Sequence, residues 1–247
     1  MQNLYFITGF MGTGKSTLLQ SLKTRFEMNE DILIDSVSHS LSGSVEEDVH
    51  QKYVILEDLD AYIEKKIDRS ISDYFTKEGE DAFRRLEASC LEEIFARTVL
   101  KKEDYPTMEI HVAISLGGGC IFSYETRKTI LRFAQLCNQV HCFNLFTAID
   151  IITQRLQGSE GAQRPLANQL QEKYTQRTEF WPVISEILQH NDISVTEIQS
   201  NASKQDIFHS VLSTINQSVF VNAKRIDAKK NTPLNSKIGI PLLEMPW

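Results

Sequence analysis

Near its start the sequence reads Gly9-Phe10-Met11-Gly12-Thr13-Gly14-Lys15-Ser16. This is the spacing G-x-x-x-x-G-K-S of a phosphate-binding loop, whose glycines let backbone N–H groups approach phosphate oxygens closely. An apolar run at residues 4–7 precedes the loop, and a pattern with helical spacing follows it at residues 14–26. Because the motif requires a strand before it and a helix after it, the sequence predicts a nucleoside triphosphate site.

The loop also predicts how the triphosphate is held. The lysine supplies a positive charge to the outer phosphates, the following hydroxyl is placed to bind Mg²⁺, and the helix contributes its positive N-terminal end. We therefore expect ATP as co-substrate and Mg²⁺ as cofactor. The residues expected to bind the nucleotide here are Gly12, Thr13, Gly14, Lys15, Ser16 and Thr17.

The composition excludes several other classes of protein. The chain has 247 residues and a formal net charge of −7, whereas a nucleic-acid-binding protein needs a basic face. It has no 18-residue apolar span, so we expect no membrane-spanning helix. The four cysteines form no C-x-x-C pair and are expected to be reduced thiols. With the phosphate loop beginning at residue 9, no leader is expected before it, and the sequence predicts a cytoplasmic, monomeric protein.

Strand and helix patterns alternate along most of the chain. The predicted strands are continuous apolar runs, as in a parallel sheet that is covered on both faces. They fall at residues 2–8, 53–56, 110–116, 140–146 and 193–195. The pattern predicts an α/β fold with a five-stranded parallel sheet of the P-loop NTPase type and helices on both faces.

Two segments do not fit this alternation. Residues 28–52 contain five serines and one short apolar patch, Ile32-Leu33-Ile34, and read as an insertion that forms a loop or a small hairpin. Residues 218–247 contain three of the six prolines and read as a C-terminal tail.

Polar or glycine-rich residues follow two further predicted strands. Asp58 and Asp60 end the second strand, and Gly117-Gly118-Gly119 ends the third. In doubly wound sheets, ligands bind beyond the carboxyl ends of the strands. Two residues apart on an extended chain, the two carboxylates are expected to point the same way. One would support Mg²⁺ and the other would accept the proton of an attacking hydroxyl; the alternative is a pair of solvated carboxylates.

Four arginines, Arg84, Arg155, Arg164 and Arg177, are widely separated, and each alone is ordinarily a surface residue. Arg164 lies in a glycine-bearing segment, residues 157–167, that reads as a loop. Such a loop could close over ATP and bring a cation to the transferring phosphate.

Taken together, these motifs resemble those of the shikimate kinase family. The similarity covers residues 1–26 and 53–217. Besides the phosphate loop, six features match in the same order along the chain. They are an aspartate pair, a Gly-Glu dipeptide, an F-R-x-x-E segment, a glycine triplet, an R-P-L segment and a later arginine. They are Asp58-Leu59-Asp60, Gly79-Glu80, Phe83-Arg84-Arg85-Leu86-Glu87, Gly117–Gly119, Arg164-Pro165-Leu166 and Arg177.

The resemblance implies a role for each matched residue. Asp60 would bind the shikimate 3-hydroxyl and accept its proton, and Asp58 would support Mg²⁺ beside Ser16. The acceptor-binding residues would be Arg84 and Arg177, which hold the shikimate carboxylate, with Gly118 and Gly119. Glu87 would orient Arg84. Arg164 would reach the phosphates from the lid, and Arg155 would lie against adenine. Lys15, Asp60 and Arg164 would be the catalytic residues.

The resemblance also implies an organisation and an activity. Residues 1–217 would form one kinase domain with the insert at 28–52, a substrate-binding region at about 58–97 and a lid at about 157–168, followed by the tail at 218–247. The chain would phosphorylate the 3-hydroxyl of shikimate, a step of chorismate and aromatic amino-acid biosynthesis. Two alternatives remain: a kinase for another small hydroxy acid such as gluconate, and a binding or regulatory protein without catalysis.

Overall fold

In the computed structural model, residues 2–27, 32–35, 52–104, 106–156 and 169–225 are described. Their strands are β1 (Gln2–Gly9), β2 (Ile32–Asp35), β3 (Lys52–Asp58), β4 (Glu109–Ser115), β5 (Gln139–Phe146) and β6 (Ile193–Gln199). Their α-helices are α1 (Lys15–Glu27), α2 (Leu59–Ile67), α3 (Ile71–Asp104), α4 (Tyr124–Ala134), α5 (Ile149–Leu156), α6 (Leu170–His190) and α7 (Lys204–Arg225). A 3₁₀ helix, Cys120–Phe122, precedes α4.

The six strands form one parallel sheet in the order β2-β3-β4-β1-β5-β6. All five predicted strands are present in it. Because β1 lies between β4 and β5, its carboxyl end reaches the middle of the sheet edge where the other strands also end. The phosphate loop therefore starts at the centre of this edge, beside the segments that follow β3 and β4.

Apolar residues of β1 alternate between two cores. Leu4 and Phe6 face one side, which is covered by α2, α3, α4 and α6, and Tyr5 and Ile7 face the other side, which is covered by α1 and α7. The central strand is thus buried on both faces, which explains its continuous apolar sequence. The predicted parallel sheet with helices on both faces is confirmed.

The predicted insertion contributes an edge strand. Residues 32–35 pair with β3 in parallel, from Ile32 opposite Lys52 to Asp35 opposite Ile55. A hairpin would have placed this strand antiparallel to its neighbour, so this segment is neither the loop nor the hairpin expected. The rest of the insertion, residues 28–31 and 36–51, lies outside the described residues.

Two helices, α3 and α6, contain a residue that disfavours helix: a glycine in α3 and a proline in α6. The helical pattern at residues 61–97 predicts a break near Gly79, and Gly79, with φ 83° and ψ 173°, interrupts α3, which resumes at once toward Arg84. Pro182 predicts a break or a kink in α6; the helix is not broken, because it continues through Pro182 from Leu170 to His190. α7 continues past the predicted boundary at residue 217, and residues 226–247 of the predicted tail lie outside the described residues. None of the helices in the described ranges combines the length and apolar composition needed to cross a bilayer.

Candidate active site

The phosphate loop links β1 to α1 through backbone conformations that only glycine adopts readily. Gly12 and Gly14 have φ values of 78° and 96°, in the left-handed region. At Gly9, with φ 139°, a Cβ atom would lie 2.2 Å from the carbonyl oxygen of Leu145 on β5. The first glycine thus allows close contact between the loop and the sheet, and the other two allow the turn toward α1.

Lys15 starts α1 and folds back over the loop. Its side chain is buried, and Nζ donates hydrogen bonds to the carbonyl oxygens of Gly9 at 2.8 Å and Phe10 at 3.1 Å. These bonds hold the ammonium group against the loop backbone, within the cavity where the phosphates are expected.

Asp58 joins the phosphate loop to the next strand end. It is the last residue of β3, and its Oδ2 accepts a hydrogen bond from the Ser16 hydroxyl at 2.8 Å. Its Oδ1 accepts from the backbone N–H groups of Asp60 at 3.1 Å and Ala61 at 3.4 Å, so the same carboxylate caps α2. A hydroxyl oxygen and a carboxylate oxygen therefore meet where Mg²⁺ was predicted, and both are ligand types that this cation takes.

Asp60 lies in the first turn of α2 and not on an extended chain. The expectation that Asp58 and Asp60 point the same way because they alternate along a strand was therefore wrong, since the helix begins at Leu59. Asp60 nevertheless lines the same cavity as Lys15 and Ser16, because the first turn of the helix rotates its side chain back over the sheet edge.

That cavity has a volume of about 710 Å³, a size typical of small-molecule sites. The structure brings six predicted nucleotide-binding residues together on one wall, with Asp60 and Arg155 also lining the cavity. The six are Gly12, Thr13, Gly14, Lys15, Ser16 and Thr17. Arg155, on α5, donates to the carbonyl oxygens of Gly12 at 3.1 Å and Ser200 at 2.8 Å, so it spans from the phosphate loop to the end of β6.

A further part of the cavity lining was not predicted from the sequence. Its residues come from the end of β4, the turn after β6 and the start of α7; they include Ser115, Ser200, Ala202, Lys204 and Ile207. They carry no motif. The only available signal was the general rule that each parallel strand delivers its following turn to the same edge of the sheet.

The glycine triplet faces the cluster of charged side chains beside this cavity. A Cβ atom on Gly117 would lie 2.6 Å from Oε1 of Glu87 and 2.8 Å from Oδ1 of Asp60. On Gly119 it would lie 2.5 Å from Nη2 of Arg84 and 2.7 Å from Nη2 of Arg177. The triplet therefore leaves room for these side chains. A side chain at Gly119 would occupy the place where two arginines, from α3 and α6, converge.

Gly118 lies between these two contacts. A Cβ atom there would be 3.1 Å from the backbone nitrogen of Met11 and 3.5 Å from Nη1 of Arg177. The triplet is therefore packed against both the phosphate loop and the arginine pair, as expected for residues that approach an acceptor through their backbone.

Arg84 is held by two carboxylates of its own helix. Nη1 donates to Glu87 at 2.5 Å and Nη2 donates to Glu80 at 2.9 Å. Although burial alone would lower the pKa of Arg84, the charges and hydrogen bonds of Glu87 and Glu80 raise it. Burial raises the pKa of Glu87, against the opposing effect of Arg84. The resemblance implied that Glu87 orients Arg84, and the two side chains are in contact.

Arg177 is also buried, and no carboxylate among the described residues forms a hydrogen bond with it. Its guanidinium carbon lies 5.0 Å from the ring centroid of Phe10 and 6.0 Å from that of Phe122. Within the described part of the chain, Nη1 has no hydrogen-bond partner. Burial, and then the positive charge of Arg84, lower the pKa of Arg177 to about 10. A buried cation with an unused donor is suited to an anionic ligand.

The remaining predicted residue, Arg164, lies outside the described residues. The structure brings the others into one crevice with two parts. Phosphate-binding residues occupy the centre, and the arginine pair with the glycine triplet lies on the α3–α6 side, with Asp60 between them.

Comparison with known proteins points to one family. The family model described as shikimate kinase matches residues 50–216. A curated shikimate kinase from Streptococcus thermophilus is 31% identical over 160 residues, which cover 65% of this chain and 70% of the relative. One from Staphylococcus aureus strain JH9 is 30% identical over 218 residues, which cover 86% of this chain and 93% of the relative.

Solved structures show the same fold. A shikimate kinase from Acinetobacter baumannii in complex with shikimate superposes with a TM-score of 0.56 at 21% identity, covering 87% of this chain and 93% of that chain. The enzyme from Aquifex aeolicus superposes with a TM-score of 0.51 at 18% identity, covering 88% and 98%. The family model matches more than half of the chain, and the Staphylococcus aureus relative is matched over nearly its full length; the chain therefore belongs to the shikimate kinase family.

Proposed function

We propose that this protein transfers the γ-phosphoryl group of ATP to the 3-hydroxyl of shikimate, giving shikimate 3-phosphate and ADP in the cytoplasm. The convergence of Arg84 and Arg177 beside a phosphate loop is the observation that carries this assignment. Two guanidinium groups recognise an acid, the loop recognises a triphosphate, and family membership narrows the acid to shikimate.

The acceptor is held by its carboxylate. The guanidinium groups of Arg84 and Arg177 bind it from two sides, and the backbone of Gly118 and Gly119 lies against the ring. Binding at one end of a rigid ring fixes the direction of its hydroxyl groups, so the clamp aligns the 3-hydroxyl with the phosphate loop.

Asp60 then acts on the hydroxyl. The oxygen of the 3-hydroxyl forms a bond to the γ-phosphorus, the bond from that phosphorus to the β–γ bridging oxygen breaks, and the hydroxyl proton passes to the Asp60 carboxylate. Lys15 stabilises the charge that collects on the transferring and leaving oxygens. Ser16 and Asp58 would hold Mg²⁺, which when bound would neutralise part of the phosphate charge.

Two further roles belong to the same proposal. Arg164 brings a second cation to the phosphates from a lid at about 157–168, and Arg155 lies against adenine. Residues 1–217 act as one kinase domain, with the substrate-binding region at about 58–97, and its last helix, α7, continues into the tail at 218–247 as far as Arg225.

An ADP-release assay over a panel of hydroxy acids tests the assignment. We expect turnover with shikimate and little with gluconate, because the clamp and the glycine triplet define both the charge and the shape of the acceptor. Turnover with gluconate and none with shikimate would refute it, and the absence of ADP release with every acid of the panel would favour the binding or regulatory protein.

The same assay tests the proton acceptor. Asp60→Asn should lower kcat by about 10²–10⁴, because the amide cannot take the hydroxyl proton. Asp73→Asn, on the exposed surface of α3, is the matched control. Near-normal turnover of Asp60→Asn would remove the role of Asp60 as base.

A further inference from the structure

Both terminal nitrogens of Arg84 already donate to carboxylates of the protein before any acceptor binds. One guanidinium nitrogen donates to Glu87 and the other, Nη2, donates to Glu80 at 2.9 Å. Nη2 is also the atom that lies closest to the Cβ position of Gly119, beside Nη2 of Arg177. The nitrogen that faces the acceptor site is thus the one that Glu80 engages.

The two glutamates differ in their freedom to move. Glu87 is completely buried, whereas the side chain of Glu80 is 26% exposed. Glu80 directly follows the break at Gly79, at the start of the resumed helix. Of the two carboxylates on Arg84, only Glu80 therefore has room to leave without a rearrangement of the core.

A second cation is already positioned for Glu80. Nζ of Lys173, in the first turn of α6, lies 3.7 Å from Oε2 of Glu80, while Oε1 is bonded to Arg84. Burial alone would raise the pKa of Glu80, but the hydrogen bond from Arg84 and the charges of Arg84, Lys173 and Arg177 lower it overall. Glu80 is therefore an anion between two cations, in contact with one and close to the other.

We propose that Glu80 holds the place of the acceptor carboxylate on Arg84 and passes to Lys173 when the acceptor binds. This inference rests on the proposed function and adds a selection step to it. An acid replaces one carboxylate on Arg84 with another, and the displaced Glu80 keeps a cationic partner. A neutral polyol offers no charge that could displace Glu80, so the exchange favours acidic acceptors.

The exchange predicts opposite effects for its two members. Glu80→Gln removes the competing charge, so the KM for shikimate should fall about threefold to tenfold with little change in kcat. Lys173→Met removes the receiving cation, so the KM should rise by a similar factor, and Lys173→Arg should restore it. In the Glu80→Gln background, Lys173→Met should have little further effect, because no charge is left to receive.

Two controls separate the exchange from a general change in charge. Glu78→Gln, two residues away and paired with Arg69 at 3.4 Å, should leave the KM unchanged. With the methyl ester of shikimate, which lacks the negative charge, the affinity gained by Glu80→Gln should be much smaller. Calorimetry measures the binding of shikimate and of its methyl ester, in addition to the kinetic assay.

The result that overturns the proposal is a rise in the shikimate KM of Glu80→Gln, which would make Glu80 a support for Arg84 and not its competitor. Additive effects of the two substitutions would also overturn it. A wild-type enzyme that does not turn over shikimate would instead refute the proposed function. The same variants are then measured with whichever acid is turned over, because the exchange depends only on its carboxylate.

Discussion

Gly119 illustrates how one missing side chain makes room for two large ones. Its φ of −108° is ordinary for any residue, so its backbone does not require glycine. A methyl group there would meet Nη2 of both Arg84 and Arg177 at less than 3 Å. The position therefore tests the arginine clamp without removing any charge.

Gly119→Ala should raise the KM for shikimate by at least about tenfold, since a small displacement of a positioning group is enough to disturb the bound geometry. The KM for ATP should stay within about twofold, because the nucleotide cavity does not include this residue. Steady-state kinetics with each substrate varied in turn gives both values, and a thermal melt shows whether the fold is intact. An equal rise in the KM for shikimate and in the KM for ATP would show that Arg84 and Arg177 do not form the acceptor clamp.

Asp58 performs two tasks that substitution can separate. Asp58→Asn keeps an oxygen that can cap α2 but carries no charge, so stability should change little while the Mg²⁺ concentration for half-maximal activity rises about tenfold. Asp58→Ala should show the same metal defect and also lower the free energy of unfolding by about 1 kcal/mol through the lost cap. Urea unfolding and Mg²⁺ titration measure the two effects. An unchanged Mg²⁺ requirement in both variants would leave Asp58 with the cap alone.

At this scale the sequence predicts residues that lie within motifs and misses residues that depend on the arrangement of the chain. Lys15 and Ser16 follow from a local pattern, because their roles are determined by the turn they belong to. Lys204 and Lys173 carry no pattern. Lys204 reaches the nucleotide cavity only because β6 lies at the edge of the sheet beyond β5. Lys173 meets Glu80 only because α6 packs near α3.

Among the elements, α3 depends on its interruption at Gly79. The conformation, φ 83° and ψ 173°, belongs to a region that is essentially restricted to glycine. No atom of the described ranges lies within 4 Å of the position that a Cβ would take, so a substitution there is opposed by the backbone conformation.

Gly79→Ala should lower the free energy of unfolding by about 1–3 kcal/mol. It should also raise the KM for shikimate, because the turn that carries Glu80 and Arg84 begins at this break. Urea unfolding and acceptor kinetics check both effects, with Lys77→Ala on the exposed surface of the same helix as the control. A stability close to that of the wild type would show that the break is relaxed easily.

The break in α3 was predictable because glycine interrupts a long helical pattern. The edge strand β2 was not. Its three apolar residues suit a strand or a buried turn, and a parallel pairing depends on the path of residues 36–51, which the local sequence does not specify. Pro182 does not break α6. The helix packs against the sheet through Trp181, Ile184 and Leu188, and this packing outweighs the local penalty of proline.

For the whole molecule, His141 links stability to pH. Its ring is buried against Phe143, with a centroid distance of 4.4 Å, and lies 2.9 Å from the Thr196 hydroxyl. Burial lowers the pKa of His141 to about 4. Because the folded-state pKa lies below the unfolded value of about 6.5, the unfolded chain binds the proton first as the pH falls. The contribution of neutral His141 to the free energy of unfolding is therefore complete above pH 6.5 and is lost progressively toward pH 4.

His141→Gln should accordingly be less stable than the wild type at pH 7.5, and the difference should shrink between about pH 6.5 and pH 4. Urea unfolding at several pH values measures it, and titrating groups shared by the two proteins cancel in the difference. Thr196→Val keeps the imidazole while removing its hydrogen-bond partner, so it should retain the pH dependence. A constant difference between wild type and His141→Gln at all pH values would contradict the assignment.

The position of β1 has a consequence for the order in which the protein is made. β1 and its phosphate loop are translated before β4 and β5, and the register partners of β1 begin only at Ile110 in β4 and Gln139 in β5. Closing such distant pairs is slow, because chain entropy is lost before the contacts form. A nascent chain that ends before residue 139 contains the whole phosphate-binding sequence but lacks one of the two strands that flank it. We therefore expect ATP binding to appear only after β5 has been translated, well after the phosphate-binding sequence itself.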